Sequence, residues 1–198
     1  MAFQHKLVAL SAIVALLLAG PAMAQREVQA GKRPYVHAIG GIAFPQQAGD
    51  FTRGRVVEYS PDARDVSVAY RPTSFPSPAE LTIYVYPALN ASCEQEFVET
   101  DRYLSQRDGF TGNASGETHP PMPGFEGVEQ HFADYRVAAG AMGFDHPELN
   151  STLWIACMPD DVRVKLRLSY EREDAKAARE LPAILFALLD FSGLRKSA

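Results

Sequence analysis

The stretch Val162–Glu171, VRVKLRLSYE, alternates without a break: Val162, Val164, Leu166, Leu168 and Tyr170 fall on one side, Arg163, Lys165, Arg167 and Ser169 on the other. Successive side chains of a strand point to opposite faces, so this pattern predicts a strand with one apolar and one basic face. LTIYVY repeats the alternation, with Leu81, Ile83 and Val85 opposed to Thr82, Tyr84 and Tyr86. In STLWIACM, Leu153, Ile155 and Cys157 share a face while Trp154 and Met158 point away. DVSVAYR and RVVEYS read as shorter strands, and YVHAIGGIAF and GVEQHFADYRVAAG as less regular ones.

Two segments carry a helical period instead. In Ala91 to Gln106, Cys93, Phe97 and Leu104 form a stripe with Val98 beside it, and Ser92 with Gln95 predicts a capping box. Near the end, EDAKAARELPAILFALLDF places Leu181, Leu185 and Leu188 on one stripe flanked by Ile184 and Phe191. Pro182 lacks an amide donor and clashes with the preceding turn, so it should kink or divide that helix, and Gly193 stands where a stop is expected. Strands, a helix, more strands and a last helix predict an α+β fold, a mostly antiparallel sheet with both helices packed on one face. The segment from Asp108 to Phe125 reads as a long polar loop.

Cys93 lies on the helical stripe and Cys157 on the aliphatic face of its strand, so both thiols are expected to point into the layer between helix and sheet. They are the only two cysteines, and no C-x-x-C accompanies them. A structural disulfide is the expectation, closing a loop of 64 residues (157 minus 93).

MAFQHKLVALSAIVALLLAGPAMAQ has the plan of a secretory signal: Lys6, an apolar run from Leu7 to Ala19, and Ala22-Met23-Ala24 before a cut near Ala24/Gln25. We expect residues 1–24 to be that signal, residues 25–198 to be one domain, and the product to be periplasmic or secreted. No later apolar run approaches the ~20 residues of a membrane span. The formal charge of −5 speaks against nucleic acid as a partner, since phosphate binding needs a basic footprint. All three asparagines, Asn90, Asn113 and Asn150, open N-x-[ST] sequons, which would matter only in a glycosylating host.

No motif of high specificity for catalysis or for a cofactor is present. There is no P-loop and no G-x-G-x-x-G, and GNASG misplaces its serine for a nucleophile elbow. No cofactor is therefore expected. His119, His131, Asp145 and His146 could approach one another as a metal or acid/base site, and a small hydrolase or metal-assisted enzyme built around residues 108–148 is the alternative function. The carboxylates Glu94, Glu96, Glu99 and Asp101 read as a solvated helix face. The sheet face away from the helices is expected to show Tyr84, Tyr86, Trp154, Arg163, Lys165 and Arg167. Rings beside cations there suit a small anionic or sugar-like ligand, or an envelope protein as partner.

GIAFPQQAGDFTRGRVVEYSPDARDVSVAYRP, followed by AELTIYVYP, resembles small exported bacterial proteins in which an F-P pair precedes a strand and a tyrosine-rich strand leads into a helix. The resemblance spans Gly41 to Thr100. More loosely, the order of elements is similar to that of the PsbP-like α/β/α sandwich, which implies a binding or accessory role and transfers no catalytic residue. An exported binding or accessory protein of the cell envelope is the leading expectation.

Overall fold

The structure, a computed structural model, describes residues 25–88, 90–113, 121–141, 147–159 and 161–195. The expected signal segment, His119, Asp145 and His146 lie outside them.

The alternating stretch forms β11 (Val162–Glu171), at the centre of an antiparallel sheet. On one side it pairs with β10 (Leu149–Met158), then β9 (Glu129–Val137) and β8 (Phe110–Asn113). On the other it pairs with β7 (Ala79–Pro87), then β6 (Val66–Pro72), β5 (Phe51–Glu58) and β1 (Arg26–Glu27), while β4 (Gln47–Ala48) also joins β5. A separate ribbon of β2 (Tyr35–Val36) and β3 (Ala43–Phe44) completes the strands among the described residues. The segment expected to be a loop thus begins with an edge strand, β8, and Met122 and Phe125 beyond it are buried in the core.

The capping box forms as expected. The Ser92 hydroxyl accepts from the Gln95 amide, the Gln95 side chain accepts from the Ser92 amide, and α1 (Cys93–Ser105) follows. Acidic Glu94 and Glu96 stand in its first turn and Arg102 in its last, as the helix dipole favours. Its buried stripe is Cys93, Phe97 and Leu104, while Val98 faces solvent. Pro182 divides the C-terminal helix: α2 (Ala175–Ala178) ends before it, and α3 (Leu181–Leu188) carries it in its first turn, where its missing amide costs nothing. α3 buries Leu181, Leu185 and Phe186 but leaves Ile184 and Leu188 exposed, so Phe186 takes the place expected for Leu188. Gly193 is not the helix stop. It sits in a later 3-10 turn, Ser192–Arg195, where a Cβ would lie 1.8 Å from the Gly40 carbonyl oxygen, so this turn packs backbone to backbone on the turn at Gly40.

The helices do not share a face. α1 packs Phe97 and Leu104 with Leu153 and Ile155 of β10 and with Ala133, Tyr135 and Val137 of β9. α3 packs Leu185 and Phe186 with Trp154 and Ala156, the alternate residues of β10, and the Trp154 and Phe186 rings lie 5.0 Å apart. β10 is buried on both faces, and that gives each helix its own side to cover. The α3 side holds the larger core, shared with Ile42, Phe44, Phe125 and the inward residues of β5, β6, β7 and β11. Trp154 is fully buried there, and its indole N–H donates to Gln130 at 3.0 Å. Arg53 shares the inward face of Phe51, and its guanidinium donates to the carbonyls of Phe44, Gly31 and Arg33 and fastens the N-terminal segment; a β-bulge after it brings Val56 rather than Arg55 inward.

Cys93 and Cys157 are joined, with Cα atoms 5.8 Å apart, as expected from their two faces. Among the described residues no helix is long and apolar enough to cross a membrane.

Replacing both cysteines with serine should lower stability by about 4 kcal/mol, the value expected for a closed loop of this length, read from urea unfolding. His37 is buried between the Ile39 backbone and the Arg64 carbonyl, and burial pushes its pKa below the usual 6.5. The unfolded ring takes up a proton near pH 6.5 while the folded ring stays neutral. The stability it confers is therefore complete above that pH and is lost as pH falls below it. Unfolding midpoints measured from pH 7.5 to 5 should show this slope in the parent protein and a shallower one in His37→Gln.

Candidate functional site

Register decides which side chains meet on the α1 side of the sheet. Cys157 stands opposite Arg163, Ile155 opposite Lys165 and Leu153 opposite Arg167; on the other flank Arg163 faces Tyr86, Lys165 faces Tyr84 and Arg167 faces Thr82. The basic face of β11 therefore continues the aliphatic face of β10 and lies on the same side as α1. Trp154 belongs to the opposite side, so the expected grouping of Trp154 with the arginines and tyrosines does not occur. It failed because β10 is apolar on both faces, and alternation alone could not say which face adjoins which.

The basic residues divide by role. Arg163 is nearly sealed: its Nε donates to Glu96 Oε2 at 3.0 Å, and its Nη2 donates to the Ala91 carbonyl at 2.9 Å. The Tyr86 hydroxyl donates to the other Glu96 oxygen. Burial, and next the Glu96 carboxylate, push the Tyr86 pKa well above its usual value. Arg163, Tyr86 and Glu96 thus dock α1 beside the disulfide, and the Tyr135 hydroxyl adds a bond to Asp101 at 2.7 Å.

α1 makes its main contacts with β8, β9 and β10, which leaves side chains of β11 and β7 partly exposed. Lys165 lies there with its ammonium 4.8 Å from the Tyr84 ring and 5.1 Å from the Tyr86 ring. The Arg167 guanidinium lies 5.7 Å from the Phe110 ring, and its one hydrogen bond among the described residues is a long 3.5 Å contact to the Ser151 hydroxyl. Arg107, just past α1, leans on the same Phe110 ring at 5.9 Å and on Tyr103 at 5.6 Å. Among the described residues none of these three cations has a carboxylate at ion-pairing distance. Burial lowers the pKa of both Lys165 and Arg167, partly offset for Lys165 by the more distant Glu96 and Asp65. The guanidiniums of Arg107 and Arg167 repel each other. Sequence reasoning missed Arg107, Tyr103 and Phe110. The i, i+4 spacing of Tyr103 and Arg107 was the only local sign, and Phe110 had none.

Of the metal or acid/base group, only His131 can be placed. It stacks on Phe97 at 5.0 Å, and its Nε2 lies 2.9 Å from Glu129 Oε1. Among the described residues, Cys93, Glu129 and His131 are the one group of potential metal ligands that meets, within 4.8 Å, but the Cys93 sulfur is held in the disulfide and offers no thiolate.

No protein-family model matches the chain, and neither the curated proteins nor the solved structures contain a significant match.

Removing Glu96 should expose the cost of the buried Arg163 charge. Glu96→Ala is expected to destabilise by about 3 kcal/mol, whereas the double variant Glu96→Ala, Arg163→Met should recover much of that loss. A double-mutant cycle on urea-unfolding free energies measures the coupling. Additive effects would show that the pair does not hold α1.

Proposed function

We propose that this chain is an exported binding or accessory protein of the cell envelope, and that its ligand is anionic or sugar-like and docks on the uncovered half of the α1-side face. The observation that carries this reading is the contrast among the inward-leaning cations. Arg53 donates three hydrogen bonds to backbone carbonyls, and Arg163 donates to the Glu96 carboxylate and the Ala91 carbonyl. Lys165 and Arg167, also largely withdrawn from water, rest on aromatic rings with no carboxylate in ion-pairing distance. Holding charge in such a place raises the energy of the free protein, and an arriving anion would offset it. Tyr84 and Tyr103 offer ring faces beside the cations, the combination that suits an acidic saccharide. Export is supported by the disulfide, by the signal-like first segment and by the accessory role that the PsbP-like resemblance implies.

The test separates binding from folding. Lys165→Met should raise the thermal midpoint of the free protein, because a half-buried cation is replaced by an apolar chain of similar length. Together with Arg167→Gln, it should abolish binding of carboxylated or sulfated oligosaccharides measured by calorimetry. Affinity unchanged in the double variant would overturn the assignment of this face.

A further inference from the structure

The opposite face holds a second polar site. On the α3 side the inward positions of the sheet are apolar from Met158 and Val162 through Trp154 and Leu166 to Leu168. The pattern then breaks. Thr111, Arg136, Asn150 and Tyr170 stand directly opposite one another across β8, β9, β10 and β11, and Asp134 and Thr152 pair in the adjacent row. All six lie on the α3 side of the sheet, where Thr152 and Tyr170 are buried, Asp134 and Asn150 half-buried, and Thr111 and Arg136 exposed. The buried Thr152 and the half-buried Asp134 depart from the apolar pattern of that face, and such local conflicts mark functional sites when no packing gain explains them.

Thr111, Asp134, Arg136, Asn150 and Tyr170 line a cleft of about 510 Å³, which Arg172 and Arg179 also line from the segment leading into and out of α2. Tyr170 and Asp134 form its base: the Thr152 hydroxyl donates to Asp134, and the Arg179 guanidinium lies 4.0 Å from the second Asp134 oxygen. Arg172 pairs only at 3.4 Å with the exposed Glu148, and Arg136 makes no ion pair among the described residues. Among the described residues that line the cleft, three guanidiniums stand against one carboxylate, a net positive lining although the chain as a whole is acidic. A volume of this size holds a small organic molecule, and arginine is the side chain that recognises planar or tetrahedral oxyanions through paired N–H donors.

We propose that this cleft binds a small organic anion through a phosphate or carboxylate group held by Arg136 and Arg179, with Arg172 at the entrance. The site is independent of the face assigned above, which lies on the other side of the sheet.

The full chain, with its disulfide intact, is titrated at low ionic strength with inorganic phosphate and, separately, with succinate, and binding is followed by calorimetry. Saturable binding of either probe is expected. Arg136→Gln and Arg179→Gln should each weaken it at least ten-fold, while Lys32→Gln, an exposed cation outside both sites, leaves it unchanged. Phosphate binding alone assigns a phosphoryl head group, and succinate binding alone a carboxylate. Arg136 is exposed, so Arg136→Gln should keep the parent unfolding midpoint and isolates the loss of the guanidinium. No saturable binding of either probe up to millimolar concentration, or equal affinity in Arg136→Gln, would overturn the proposal. Weakening by Lys165→Met with no effect of Arg136→Gln would assign the anion to the other face and also overturn it.

Discussion

The ladder between β10 and β11 runs through every residue of both strands, from Leu149 opposite Glu171 to Met158 opposite Val162. A shift of one residue would carry each side chain of one strand to the other face, so this pairing fixes the composition of both sides of the sheet at once. It places Trp154 with Leu166 and Ala156 with Val164, which makes one face continuous and apolar. It also places Cys157 with Arg163 and Ile155 with Lys165, which makes the other mixed. The larger core, the disulfide, the docking of α1 and the placement of the half-buried Lys165 and Arg167 all follow from that register.

The two faces are closed by different means. On the α3 side, closure is by aromatic packing: Phe125, Phe186 and Phe191 surround one another and two of them reach Trp154, with ring centroids 4.9 to 5.4 Å apart. That arrangement is non-directional in its main energy, and the ring edges and faces add a smaller geometric preference. On the α1 side the helix is short on apolar area, with three buried residues, and polar ties complete the attachment. The disulfide, the Arg163–Glu96 pair and the bonds from Tyr86 and Tyr135 fix its position along and across the strands. Apart from the disulfide, directional bonds of this kind set geometry more than they add net stability.

Charge placement gives the protein its functional outline. Arg53 and Arg163 point inward and donate to carbonyls or a carboxylate of the fold, so they serve the fold. Arg107, Lys165 and Arg167 lean on rings, and Arg136, Arg172 and Arg179 surround a cleft. Two basic areas therefore lie on opposite sides of one acidic chain, separated by the thickness of the sheet. Long-range attraction from net charge cannot account for either. Each depends on local geometry and is screened within about 10 Å at ordinary ionic strength.

Much of the fold was legible in the chain. The period of two in VRVKLRLSYE and LTIYVY, the Ser92 and Gln95 capping box and the break at Pro182 arise from interactions between near neighbours, and the pairing of Cys93 with Cys157 was legible because the chain has only these two cysteines, each on an apolar face. Alternation defines two faces on each strand but says nothing of how a face continues onto the next strand. For β10, apolar on both sides, the pattern is degenerate, and only the tertiary pairing resolves it. The same pairing sent the helices to opposite sides and parted Trp154 from Lys165 and Arg167. It also brought Phe110 beneath two arginines and collected Arg136, Asn150 and Tyr170 into one row. Those residues lie far apart in the chain, and hydrogen bonding between strands is what makes them neighbours.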